Sequence, residues 1–208
     1  MVFSSTTFLF LFLPVVLIAY YNPFIKSLAF KNAVLILSSI FFYAWGEPIY
    51  VLLMLGSILA NWLLGLIVDK NRENGKSKAA LVISVIVNIG MLFVFKYLTF
   101  TLKNINALLH TDINTLNITL PIGISFFTFQ AMSYVIDVYR RDGEVQKNPC
   151  NVALYISFFP QLIAGPIVRY QTIADQIKSR NENFADFTNG AYRFMIGFVK
   201  KVLIANNV

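Results

Sequence analysis

Gln130, Tyr134, Asp137 and Arg141 stand at i, i+4, i+7 and i+11 of an apolar run, so a helix there gathers them on one face. An ionisable group at membrane depth is costly and is kept where it faces a bundle interior or a wet cavity, which makes Asp137 the first candidate for function. Asp137 also lies one turn from Arg140 and Arg141, so a surface ion pair at a helix end is the alternative reading. A second concentration of unusual residues is Phe158 to Arg169, which packs two prolines, a glycine and an amide into one short apolar stretch. Carbonyls freed at Pro160 and at Gly165 and Pro166, together with Gln161, suit the wall of a narrow polar passage, and Arg169 suits an anionic group such as a phosphate. A packing kink with Arg169 as an interfacial anchor is the simpler alternative.

Other chemistries fall away. His110, the only histidine, sits in a polar stretch with no carboxylate, serine or cysteine at motif spacing, and reads as a solvated loop residue. Cys150 is the only cysteine, which excludes an internal disulfide and a cysteine-built metal site. A glycine-rich phosphate loop, a G-x-S-x-G elbow and an H-E-x-x-H pair are absent, and no metal or bound cofactor is expected.

The elements that must position these residues are set by composition. The 208 residues are 57% hydrophobic and 13% charged, with a mean hydropathy of +0.66, too apolar for the surface of a water-soluble particle. The expectation is an all-α polytopic membrane protein, a multi-helix bundle with broken or re-entrant helices, in contact with the lipid bilayer. The net charge of +7 does not indicate nucleic acid, because the basic residues lie between apolar runs and form no stripe.

A bilayer core of about 30 Å requires roughly 20 apolar residues per helix. Met1 to Ile25, with its apolar body Phe8 to Tyr21, reads as a retained first span, and Ala33 to Trp45 and Ile49 to Val68 as a hairpin broken at Gly46, Glu47 and Pro48. A fourth span is expected over Ala79 to Phe95, followed by a polar, turn-rich stretch from Lys96 to Asn117. Ile118 to Ile136 and Asn148 to Val168 carry Pro121 and Gly123, and Pro160, Gly165 and Pro166, so they read as broken or re-entrant segments. Ser57, Asn61 and Gly65 form a helix-packing stripe, and Phe187 to Val208, interrupted by Arg193, Lys200 and Lys201, reads as a surface helix. Lys and Arg concentrate at 22–32, 69–78 and 140–147 relative to the N-terminal tail and the intervening 46–48, 96–117 and 169–186. This expects the first set in the cytoplasm, the N-terminus outside, and a multi-pass protein of the cell (inner or plasma) membrane.

Ser39-Ile40-Phe41-Phe42-Tyr43-Ala44-Trp45-Gly46 and Leu120-Pro121-Ile122-Gly123-Ile124-Ser125-Phe126-Phe127-Thr128-Phe129-Gln130 resemble the membrane-bound O-acyltransferase (MBOAT) family. Ser157 to Ile167 and Arg193 to Ala205 are similar to its alginate O-acetyltransferase branch, and the resemblance runs over nearly the whole chain. It implies a helix ring around a tunnel, in which a cytosolic acyl-CoA thioester, acetyl-CoA in this branch, meets an acceptor from outside. The acceptor would be an exported polysaccharide or the cell wall, with an extracytoplasmic acetyl-accepting protein or polysaccharide machinery as partner. By the resemblance, the stripe Gln130 to Arg141 and the segment Phe158 to Arg169 build the tunnel wall, and no residue of this chain is assigned as catalytic. The family's catalytic histidine is expected beyond Val208, and His110 does not match it. The chain closes on Ala205-Asn206-Asn207-Val208 with no helix stop, so residues 1–208 are expected to be the N-terminal part of a single transmembrane domain, inactive alone. A non-catalytic membrane scaffold and a transporter-like protein with an intramembrane polar pathway stay open as alternatives.

Overall fold

In the computed structural model, which describes residues 3–25, 27–73, 75–114, 118–162 and 168–205, the chain is all-α, with no strand among the described residues. Among the described residues three helices are long and apolar enough to cross a membrane, α2 (Leu28–Gly46), α3 (Tyr50–Lys70) and α4 (Lys76–Leu109), and α1 (Phe8–Tyr20) is a shorter apolar helix ahead of them. They are followed by α5 (Ile124–Arg140), α6 (Pro149–Ser157), α7 (Tyr170–Lys178) and α8 (Phe184–Lys200). At about 1.5 Å per residue α1 is roughly 20 Å long, short of the hydrocarbon core.

Helix boundaries follow from local chemistry. Pro149 occupies the first turn of α6 while Asn148 caps it, accepting from the Cys150 amide at 2.9 Å. Pro121 and Gly123 do not interrupt a helix, as the apolar run suggested. Gly123 takes a left-handed φ of 77°, Ile124 donates to the Pro121 carbonyl, and α5 starts only there. The stretch expected to be turn-rich after Lys96 is also corrected, since α4 continues to Leu109. Leu98, Leu102, Ile105 and Leu109 recur at helical spacing there, a period masked by the interleaved Thr99, Thr101, Lys103, Asn104 and Asn106. The helix ends where His110 adopts a left-handed φ of 52°, exposed.

Packing is inverted relative to a soluble protein. Large apolar side chains point outward, with Ile18 74%, Leu37 67%, Leu52 70% and Ile86 64% exposed, as a lipid-facing surface requires. Inside, α3, α4 and α5 meet over small and polar residues. Asn61 exchanges hydrogen bonds with Asn88 (3.1 and 2.7 Å), and its Oδ1 also accepts from Ser84 Oγ at 3.0 Å. Such pairs join helices where lipid competes poorly for polar groups. Gly65 faces the Tyr134 ring so closely that an added Cβ would lie 2.7 Å from it. The stripe Ser57, Asn61 and Gly65 is therefore the α3 packing face. By contrast α8 has no buried side chain.

Candidate functional site

The proline-containing segment enters the bundle and returns to the side it came from. α6 descends from Asn148, breaks at Phe158, and resumes as one turn over Phe159–Leu162. Residues 163–167 lie outside the described residues, but Tyr155 Oη on the descending limb donates to the Val168 carbonyl at 2.9 Å on the returning one. Its ring meets that of Tyr170 edge-on at 5.3 Å. The 14 residues from Pro149 to Leu162 reach only about 21 Å as a helix, less than the hydrocarbon core.

The backbone groups freed at the break find partners inside the protein, as membrane depth demands. The Phe159 amide donates to Ser39 Oγ of α2 at 3.1 Å, and Gln161 N–H closes on the Phe158 carbonyl at 2.9 Å. The Phe159 ring is held among Phe8, Phe12 and Phe42, with centroids 6.2, 5.3 and 5.7 Å away. Gln161 Oε1 accepts from Gln130 Nε2 at 3.2 Å. Gln130 is 1% exposed, and its own Oε1 has no hydrogen-bond partner among the described residues. This pair joins the predicted stripe to the re-entrant segment.

At the open end the two limbs are locked by Gln146, which is 2% exposed. Its backbone N–H donates to Tyr134 Oη (3.2 Å), and its carbonyl accepts from Trp62 Nε1 (2.9 Å). Its side-chain Oε1 accepts from Asn151 Nδ2 (2.9 Å), while Nε2 donates to Tyr170 Oη, which in turn donates to the Glu144 carbonyl (2.7 Å). Gln146, Trp62, Asn151 and Tyr170 were not singled out by sequence, because they lie on four separate elements with no shared spacing.

Asp137 is 6% exposed and makes no ion pair with Arg140 or Arg141, both of which point outward. Its Oδ2 accepts from the Gln171 amide at 3.3 Å, within the first turn of α7, so the carboxylate sits at a helix N-terminus that favours its charge. Arg141 stands in the left-handed region at φ 67°, ending α5 in a Schellman turn. Its N–H bonds the Val138 carbonyl (3.3 Å), and Asp142 N–H bonds the Asp137 carbonyl (3.0 Å). The structure thus gathers Gln130 with Gln161, and Tyr134 and Asp137 with Tyr170 and Gln171. It leaves Arg141, Pro160 and Arg169 exposed, away from that interior, while Gly165 and Pro166 lie outside the described residues.

The return of the chain revises the expected loop alternation. Arg180 Nε donates to Tyr20 Oη (2.7 Å), Asn32 Nδ2 to the Ile177 carbonyl (3.1 Å), and Lys178 pairs with Glu144. Residues 168–182 therefore share the face of 27–32 and 140–147, and do not lie opposite it.

Fold and site together define an all-α polytopic membrane protein with a proline-containing re-entrant segment packed against its helices. No family model and no solved structure matches the chain. Over its whole length it is 39% identical to the proteins named "Probable alginate O-acetylase AlgI" of Pseudomonas syringae pv. tomato and of Pseudomonas aeruginosa. It is 34% identical, again over its whole length, to the peptidoglycan O-acetyltransferase of Helicobacter pylori. The chain spans 40% of the length of the first two relatives and 45% of the third. Along its entire length it is thus similar to part of proteins named as O-acetylases of alginate and of peptidoglycan.

Proposed function

We propose that the protein serves the transfer of an acetyl group from a cytosolic acetyl-CoA thioester to a hydroxyl of an extracytoplasmic polysaccharide or cell-wall polymer. The observation that carries this reading is whole-chain identity to proteins named O-acetylases of two chemically different polymers, alginate and peptidoglycan. What those substrates share is a sugar hydroxyl outside the cell, and the donor thioester is made inside. A protein that joins them must breach the hydrocarbon core without an open pore. The re-entrant segment, whose half-buried Gln161 accepts from the buried Gln130 of α5, is the feature of this chain suited to line such a passage. An extracytoplasmic acetyl-accepting partner belongs to the same reading.

The basic loops support an orientation. Lys31, Lys70, Arg72, Arg140, Arg141, Lys147, Arg169, Lys178 and Arg180 lie toward one face, whereas Lys96 and Lys103 follow at the far end of α4. The positive-inside rule then puts the first face in the cytoplasm, and the packing of Phe8 on Phe42, near the far end of α2, favours an outside start for the chain although α1 alone is short. Deleting the gene should remove ester-linked acetate from the cell-surface polymer, and restoring the intact gene should return it. Unchanged acetylation in the deletion strain would overturn the reading.

A further inference from the structure

Two cavities meet at Arg180. One, of about 430 Å³, is apolar and runs between α1, α2, α6 and α7, walled by Leu13, Leu17, Leu35, Leu154 and Phe158. The other, of about 340 Å³, is polar and opens on the basic face beside Asn22, Lys31, Asn181 and Glu182. Tyr21 and Arg180 line both. From Leu13 to Tyr20 the apolar wall rises about 10 Å along α1.

The charges at the junction do not close among themselves. Lys31 is paired with Glu182, and Arg180 spends Nε on Tyr20 and Nη1 on Asn32 (2.8 Å) and the Gln176 carbonyl (3.3 Å). Glu182 Oε1 lies 3.5 Å from Arg180 Nε. Arg180 Nη2 is buried with no hydrogen-bond partner among the described residues. Two cations against one carboxylate leave a net positive charge, and a buried guanidinium N–H without an acceptor is costly. An anionic oxygen is the acceptor that fits, and the adjoining apolar cavity calls for a hydrocarbon chain on the same molecule.

We propose that the two cavities form one site for a phospholipid with an anionic headgroup, its phosphate at Arg180 and Lys31 and one acyl chain between α1 and α6. The test is native mass spectrometry of the full chain released from micelles containing phosphatidylglycerol or phosphatidylcholine. The expected result is one retained phosphatidylglycerol per chain in preference to phosphatidylcholine. That preference should fall about tenfold in Arg180→Gln, survive in Arg180→Lys, and be unaffected in Lys103→Gln on the other face. Leu17→Trp, which fills the apolar cavity and leaves the charges alone, should abolish retention, and it carries the test if Arg180→Gln loses helicity. Equal retention of both lipids, or full retention in Leu17→Trp, would overturn the proposal. So would displacement of the lipid by free glycerol phosphate as readily as by phosphatidylglycerol, which would assign the polar cavity to a soluble anion.

Discussion

Asp137 shows how one residue acquires a role that neighbouring charges in sequence do not suggest. Its carboxylate is turned away from Arg140 and Arg141 and onto the first turn of α7, tying the end of α5 to the limb returning from the membrane. Asp137→Ala should therefore cost about 1–2 kcal/mol by thermal or denaturant unfolding, whereas Asp137→Asn, which keeps an acceptor, should cost less. Equal losses would contradict a capping role. Arg141 holds a left-handed conformation that glycine adopts without strain, so Arg141→Gly should be neutral or stabilising by about 1 kcal/mol in the same measurement. Glu182 carries the pH dependence of the junction between α1, α2 and the stretch after α7. Partial burial alone would raise its pKa, but hydrogen bonds from Lys31 and Tyr20 and the charges of Lys31 and Arg180 outweigh it and hold the carboxyl below its ordinary value of 4.5. A carboxyl depressed in the folded state stabilises above its ordinary pKa and loses that contribution as pH falls through the folded value. The melting temperature of Glu182→Gln should accordingly lie below that of the parent at neutral pH and converge with it on acidification.

Among the elements, the segment between Asn148 and Arg169 sets the topology. Its proline breaks were visible in sequence, and so was its unsuitability as a lipid-facing rod. Its return to the starting face was not, because contacts such as Tyr155 with Val168 and Phe159 with Ser39 join positions whose spacing carries no signal. The loop count that placed 169–186 opposite 140–147 failed for the same reason, since it assumed that each apolar run crosses. Cys150, exposed at the start of α6, makes this testable with the native chain. A membrane-impermeant thiol reagent should label Cys150 in inverted vesicles and not in intact cells. Arg169→Cys in a Cys150→Ser background should behave identically, whereas a simple span would expose it from the other side. The close packing of α3 on α5 gives a second check. Gly65→Ala drives a methyl against Tyr134 and should destabilise the bundle by about 1–3 kcal/mol, while Gly90→Ala, with open space around it, should not.

Taken as a whole molecule, the chain carries lipid-facing apolar surface outside and amides, hydroxyls and one capped carboxylate inside. That inversion was legible from composition, the hairpin of α2 and α3 from its break at Gly46, Glu47 and Pro48, and the stripe from its helical spacing, of which Gln130, Tyr134 and Asp137 are buried and Arg141 is exposed. The Gln146 lock was not, because its partners come from α3, α5, α6 and α7 and only the folded bundle assembles them. Arg169, conspicuous in sequence as an anion ligand, lies exposed, while Arg180, from an unremarkable polar stretch, stands at the wall shared by two cavities. The proposed acetyl transfer across the membrane is open to a sided assay. Labelled acetyl-CoA should be supplied to the cytoplasmic face of inverted vesicles from cells carrying the intact gene and from a deletion strain. Ester-linked label is expected on lumenal polymer only where the gene is present. Equal labelling in both preparations would contradict it.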